Sequence, residues 1–519
     1  MGTFFNPGNG SFTQDKNSEI YIDKTELLKF LNKKLGTNGK CIAVSHARRF
    51  GKSHAAGMID AYYSLGSDSS KLFENTKIVS DPDYEKYRNK YNVIHLDISS
   101  VWDYHKEDLI ESIEERVCED FQKIYGDLLN YKRDFYLLIQ DIYSLTGIPF
   151  VIIIDEWDCV IRNSHDQALV HKYLQFLHSL FKSEESKSFL ALGYITGILP
   201  IKKIKDESAL NNFQEYTMLD SYPITEYYGF TEKEVKDLCK DYSMDFETVK
   251  AWYNGYLIDG KHMYNPNSVS QALERHEIDS YWRNTSAFDT INTFITMNYA
   301  GLKDDVMKML TGGKVRINTN TFQNDFSIIT SKDDALTALI HLGYLGYDAD
   351  RKKSFIPNYE VATAFELALQ TGSWKEIAES ISKCDELLDE TIDGNAERVA
   401  ELIELAHETY TSILKYNDEN ALSCVLTMAY FTAPAYYNVI REMPSGKGFA
   451  DFVFLPRANA GNRPAMIIKL KYNQSAETAL KQIKEKRYQG ALSGYQGKIL
   501  LVGINYDSEK HHTCMIEEL

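Results

Sequence analysis

Residues Cys41 to Ser53, CIAVSHARRFGKS, decide the fold of the N-terminal part of the chain. Cys41 to Val44 is a short apolar run that predicts a buried strand. A basic loop follows at Ala47-Arg48-Arg49-Phe50, and Gly51-Lys52-Ser53 then opens a stretch with helical character. Strand, loop, Gly-Lys-Ser and helix is the layout of a phosphate-binding loop: backbone N–H groups at a helix N-terminus face the phosphates, the lysine reaches the outer ones, and the serine hydroxyl holds Mg²⁺. The pattern departs from its usual form at His46, which stands where a glycine begins the loop.

A lone Gly-Lys-Ser is more often a turn than a site, so a second element carries the reading. Phe150-Val151-Ile152-Ile153-Ile154 is continuously apolar, as a strand covered on both faces must be. It ends in Asp155-Glu156. Asp155 in that position binds Mg²⁺ and Glu156 polarises the attacking water; the plainer reading is an acidic pair at the end of a core strand. Tyr91 to Ser99 and Ser188 to Ile198 predict two further strands, the first reaching its polar end at Asp97 and the second ending in Thr196-Gly197. Residues 105 to 146 read as helical. Strands alternating with helices predict a parallel sheet with both faces covered, and sites in such sheets lie at the carboxyl ends of strands. Thr196 there is either a turn residue or a sensor of the γ-phosphate. Tyr21-Ile22-Asp23-Lys24-Thr25 precedes a helical pattern through Leu27, Leu28, Leu31 and Leu35; Asp23 either caps that helix or lies beside the nucleotide base. Lys202, Lys203 and Lys205 form a basic cluster that reads as solvated surface or as a phosphate contact.

A length of 519 residues suggests about three domains at roughly 150 residues each. The net charge of −17 argues against nucleic acid wrapped over the whole surface and leaves room for a local basic groove. The 7 cysteines are dispersed with no Cys-x-x-Cys pair, which opposes a zinc site and suits a reducing cytoplasm. No apolar run reaches membrane-spanning length, and the N-terminus lacks the pattern of a signal peptide. From about 222 to 375 the texture becomes short helices with aromatic-rich turns, an α-helical lid or adaptor without a catalytic constellation. Helical spacing continues from about 376 to 431 through Leu387, Leu388, Val399, Leu402, Ile403 and Leu405.

The C-terminal texture is again α/β. Phe449 to Leu455, Ala465 to Leu470 and Lys498 to Asn505 predict strands. Ser475 to Gln489 predicts an amphipathic helix with Ala479, Leu480 and Ile483 inward and Lys481, Lys484, Lys486 and Arg487 outward. The arrangement of Glu419, Asp451 and Lys471 suggests the carboxylates and lysine of a metal-dependent nuclease core; the plainer reading is an ordinary α/β domain with a buried aspartate and surface lysines. Residues two apart on a strand share a face, so the residue two before Lys471 should be a carboxylate. It is Lys469. A lysine charge about 4 Å from a divalent ion is repelled by roughly 8 kcal/mol at an effective dielectric near 20, so either the side chain swings away or the metal binds poorly.

Taken together, Tyr21 to Thr25, Arg48 to Ser53, Ile154-Asp155-Glu156-Trp157-Asp158, Thr196-Gly197, Phe230-Thr231, Tyr253-Asn254-Gly255-Tyr256, Tyr264-Asn265-Pro266 and Ile356-Pro357-Asn358 resemble the bacterial AAA-ATPase-like family. Its members often carry a C-terminal PD-(D/E)XK nuclease-superfamily domain, which the stretch from Glu419 through Gly446, Asp451 and Lys471 to Gln482 and Tyr488 resembles. The resemblance implies an α/β fold class: a P-loop parallel-sheet NTPase core over 1–221, a helical middle region over 222–375, and a restriction-endonuclease-like α/β domain over 376–519. It implies ATP and Mg²⁺ as cofactors. Arg48, Arg49, Phe50, Gly51, Lys52, Ser53, Asp23 and Thr196 would sit at the nucleotide, with Ser53 and Asp155 at its metal. Lys52 and Glu156 would be catalytic. Glu419 and Asp451 would hold a nuclease metal, with Asp451 and Lys471 catalytic on DNA or RNA. The family pattern has Glu-x-Lys where this chain has Lys469-Leu470-Lys471, which argues against cleavage but not against the fold. The expected function is an ATP-binding and ATP-hydrolysing protein with a nuclease-like domain that acts on or binds nucleic acid. The alternative is an ATP-dependent switch or adaptor in a defence or mobile-element system, without cleavage.

Overall fold

The computed structural model describes the chain apart from residues 1, 132, 165, 202–209, 282–286, 298, 311, 324–328, 372–374, 412–424, 427–428, 431, 434–435, 446–447, 457–459, 486–491, 493–494, 496 and 509–510. Two compact units emerge. One contains Met1–Met244, Tyr253–Glu277 and Arg316–Ser354; the other contains Asp245–Trp252, Ile278–Val315 and Phe355–Leu519.

The first unit is built on five parallel strands: β1 (Cys41–Ser45), β2 (Asn92–Asp97), β3 (Phe150–Asp155), β4 (Leu190–Gly197) and β5 (Gln214–Thr217). Their order is β2-β3-β4-β1-β5. β1, β3 and β4 are buried along their whole length, which is why they read as unbroken apolar runs. One face packs on Leu138, Ile139, Tyr173, Leu177 and Phe181; the other packs on Leu28, Leu31, Ile59, Tyr62 and Tyr63. Both faces are thus covered, as a parallel sheet requires. Helix α1 (Lys52–Tyr63) leaves the loop after β1 and has Gly51 at its N-cap with φ +85°, a left-handed conformation that glycine adopts without steric cost. The region read as helical over 105–146 is two helices, Leu109–Tyr125 and Phe135–Thr146, separated by a turn.

Some of the aromatic turns beyond residue 222 are strands. Phe230–Thr231, Tyr256–Ile258 and Lys261–Tyr264 make a small antiparallel sheet among the helices. The helix Glu232–Asp241 starts with a full capping box between Thr231 and Glu234, in which the two side chains each satisfy a backbone N–H of the other.

The second unit contains a mixed five-stranded sheet: β6 (Tyr437–Ser445), β7 (Gly448–Pro456), β8 (Ala465–Tyr472), β9 (Ile499–Tyr506) and β10 (His512–Glu518), in that order. Only β8 and β9 run parallel. Helix α2 (Ala396–Thr411) packs on β10, and helix α3 (Ala476–Glu485) turns Ala479, Leu480 and Ile483 onto β8 and β9. Lys481 and Lys484 of α3 are exposed, as its periodicity predicts. β6 and β10 were not foreseen. Alternation in β10 is broken by Cys514, Met515 and Ile516 in succession, which hides the half-exposed strand.

Candidate functional site

Because β4 lies between β1 and β3, their carboxyl ends are neighbours. Asp155 ends β3 in a buried position, and its Oδ1 accepts from Thr196 Oγ1 on β4 and from the N–H of Glu156 at 3.0 Å. Among the described residues its Oδ2 accepts no hydrogen bond. Lys52, only 4% exposed, donates from Nζ to Ala47 O at 3.0 Å. No described carboxylate lies within ion-pair distance of that ammonium. Burial lowers the Lys52 pKa, while Glu156, Asp155 and Asp158 pull the other way from farther off. A buried cation without a contacting counter-ion is costly, and an incoming phosphate removes the cost. Ser53 is exposed on the first turn of α1. The residues present therefore fit a nucleotide triphosphate, and they fit Mg²⁺ through the Ser53 hydroxyl and the open oxygen of Asp155.

Glu156 has φ +52°, a conformation that costs a non-glycine residue about 1–2 kcal/mol. Arg162 from the following helical turn holds it: Nη2 lies 2.6 Å from Glu156 Oε2, and Nε lies 2.9 Å from Asp158 Oδ2. Asp158 is fully buried and also accepts from the N–H groups of Ile198 and Leu199 at 3.1 and 2.9 Å. Burial raises the Glu156 pKa, opposed chiefly by Lys52. Arg162 was missed in the sequence; its spacing of four residues from Asp158 within a helical turn was the available signal.

The loop after β1 is gripped by residues from far along the chain. His46 is buried, its Nε2 sits 2.8 Å from Ser221 Oγ, and burial pushes its pKa down to about 3. Phe50 meets Tyr256 edge-on at 5.0 Å, Gly229 N–H donates to Phe50 O at 2.9 Å, and Asn265 Nδ2 reaches Arg48 O at 3.4 Å. The aromatic turns thus form the outer wall of the phosphate loop. Arg48 and Arg49 are exposed at its tip, Arg49 with φ +66°.

Two strand-end or segment residues have structural partners. Asp97 caps the helix Ile98–Tyr104 through the N–H groups of Ser99 and Ser100. Asp23 accepts from Thr25 N–H at 2.8 Å and from Lys77 N–H at 2.7 Å, fastening the N-terminal segment to the turn Lys77–Ser80. The basic cluster 202–205 and Glu419 lie outside the described residues, as do Gly446, Lys447, Lys486, Arg487 and Tyr488.

In the second unit Asp451 on β7 faces β8. Lys469 Nζ donates to Asp451 Oδ1 at 2.8 Å, and Leu470 N–H donates to Asp451 Oδ2 at 2.6 Å. Lys469 does not swing away; it becomes the counter-ion of the carboxylate. Lys471 is half-buried on the same face of β8. Both oxygens of Asp451 are engaged, one by an ammonium, so these residues do not fit a divalent metal. Among the described residues no group of three or more His, Cys, Asp or Glu side chains is placed to hold an ion.

Residues 10–205 match the family model of a predicted AAA-ATPase, and residues 417–516 match that of the PD-(D/E)XK nuclease superfamily. A curated relative from Azotobacter chroococcum mcd 1, described as an uncharacterized protein in the vnfD 5′ region, is 24% identical over 274 residues, which is 51% of this chain. The chain spans about half the length of that relative, 50% of it. Among solved structures, AMPPCP-bound DnaA from Aquifex aeolicus matches at 12% identity and TM-score 0.27, covering 54% of this chain and 71% of DnaA. The ORC2 protein of Aeropyrum pernix, in ADPNP and ADP complexes, matches at 10% identity and TM-score 0.31, covering 70% of this chain and 97% of ORC2. These overall likenesses are slight; the parallel sheet, the phosphate loop and the two family matches carry the assignment. The chain joins an AAA-ATPase-like domain to a domain of the PD-(D/E)XK nuclease superfamily.

Proposed function

We propose that this protein is an ATP-hydrolysing switch whose nuclease-like domain binds nucleic acid without cutting it. The buried ammonium of Lys52, with no described carboxylate in contact, carries the ATP reading. The phosphates would take the helix N-terminus at Gly51–Ser53 and displace Lys52 from Ala47 O; Thr196 would hold Asp155 in place. Glu156 would accept the proton of the water that attacks the γ-phosphorus, with ADP as leaving group. Ser53 and Asp155 would hold Mg²⁺, which would neutralise charge on the phosphates. Asp23, tied to Lys77, would flank the nucleotide from the N-terminal segment, and Arg48 and Arg49 would approach it from the loop tip.

The Lys469–Asp451 pair supports binding without cleavage. It leaves Lys471 beside a neutralised carboxylate, a surface that favours a phosphodiester backbone over a metal ion. An adaptor role in a defence or mobile-element system fits the same features. Among the described residues no helix is long and apolar enough to cross a membrane, and the six described cysteines are free thiols, consistent with a cytoplasmic setting.

The test has two arms. Lys52→Ala should abolish ATP turnover; turnover at the parental rate removes the ATPase reading. Mg²⁺-dependent cleavage of DNA and RNA should be absent from the parent chain, with salt-sensitive binding present; cleavage by the parent removes the non-cutting reading.

A further inference from the structure

A groove of about 810 Å³ in the second unit lies away from Asp451 and Lys469. One wall is a stripe on α2: Glu397, Glu401, Glu404 and Glu408. At 1.5 Å rise per residue these carboxylates span roughly 16 Å with steps of about 4.5–6 Å. Ala396, Ala400 and the exposed Leu405 form an apolar floor between them, and the opposite wall is His512, Thr513 and Cys514 of β10.

Two observations point to an occupant. His512 is 7% exposed, its Nε2 lies 3.0 Å from His407 Nδ1, and its Nδ1 has no hydrogen-bond partner. That Nδ1 is turned to Glu404, whose Oε2 stands 3.7 Å away in the groove wall, beyond hydrogen-bond reach. Burial, then His407, pushes the His512 pKa down to about 4, so the ring is neutral at pH 7. Second, among the described residues β10 ends the sheet, with β9 on one side and no strand on the other. The N–H of His512 points off that open edge, to Glu404 Oε2 at 3.1 Å. By strand alternation, the N–H of Cys514 points the same way.

We propose that this groove docks an extended lysine- or arginine-rich segment of a partner protein, which adds alongside β10. Alternate side chains of an extended chain repeat at about 6.6–6.8 Å, longer than the carboxylate steps on α2 by an amount that adds up to about 4 Å over the stripe, which flexible lysine stems span. Each lysine stem would lie on the Ala396–Ala400–Leu405 floor with its head between glutamates. One head group would donate to His512 Nδ1 and meet Glu404 at once. The backbone would bond the edge of β10 beyond His512, whose own N–H Glu404 already holds, in the geometry of strand addition.

The experiment is fluorescence anisotropy of a labelled alternating Lys-Thr octapeptide titrated with the full chain at physiological salt. Micromolar binding is expected. The double variant Glu401→Gln/Glu408→Gln should weaken it at least tenfold, and His512→Phe at least threefold. Glu477→Gln, an exposed acid outside the groove, should change it less than twofold. A peptide N-methylated at alternate residues keeps its charges but loses edge bonding and should bind at least tenfold more weakly. Absence of binding, equal weakening by Glu477→Gln, undiminished binding of the methylated peptide, or displacement by spermine at the peptide's own concentration would each overturn the proposal.

Discussion

Arg162 Nη2 stands 2.6 Å from Glu156 Oε2 while the same guanidinium pairs with the fully buried Asp158. One side chain therefore ties the acid after β3 to the backbone after β4, through the N–H groups of Ile198 and Leu199 that Asp158 accepts. Removing it strands a buried carboxylate. Arg162→Met is expected to cost about 3–5 kcal/mol in the first unit, read as a shift in its urea midpoint. Arg162→Lys, which keeps a charge near Asp158 but not the two-pronged contact, should cost less and still slow ATP turnover.

Gly229 has φ +87°, and a Cβ there would meet Phe50 Cδ1 and Tyr264 O, both at 3.0 Å. Gly229→Ala should destabilise the first unit by about 1–2 kcal/mol. Because the displaced neighbour is Phe50, the apparent affinity for ATP should fall as well. Stability and ATP titration on the same variant separate the two effects.

His46 is neutral in the folded state, with its pKa lowered from 6.5 to about 3 by burial. Below pH 6.5 the unfolded chain binds a proton there that the folded chain refuses. Stability from this group is complete above the unfolded pKa and declines as the pH falls toward 3, by up to about 1.4 kcal/mol per pH unit. Denaturation midpoints across that window should fall less steeply for His46→Gln than for the parent.

Lys469 and Asp451 make a half-buried ion pair. Lys469→Glu places two carboxylates together and should lower the melting temperature of the second unit in the absence of metal. Millimolar Mg²⁺ should raise it again in the variant and leave the parent unmoved. A parent that gains stability from Mg²⁺ would contradict the reading of this centre.

The apolar runs Cys41–Ser45, Phe150–Asp155 and Leu190–Gly197 were legible because strands covered on both faces cannot alternate. Their polar ends were legible too, but not which ends do chemistry: Asp97 ends β2 as clearly as Asp155 ends β3, and it caps a helix. Packing separates the two, and packing depends on β4 lying between β1 and β3. The grip of Ser221, Gly229, Tyr256 and Asn265 on the loop after β1 joins residues roughly 175 to 220 apart in sequence, which no local period encodes. At Lys469 charge arithmetic left two outcomes open, a side chain that swings away or a weakened metal site, and did not name Asp451 as the partner, because the direction of a long side chain is set by the strand opposite.

The insertion of β4 between β1 and β3 has a consequence for the ribosome-bound chain. β1 has β4 and β5 as its neighbours, both made much later. Some 150 residues separate the end of β1 from the end of β4, which at about 5–20 residues per second is roughly 8–30 s of synthesis. Throughout that interval CIAVS and then FVIIID are out of the tunnel with incomplete sheets, and nascent-chain binding by cellular chaperones should peak before residue 197 emerges.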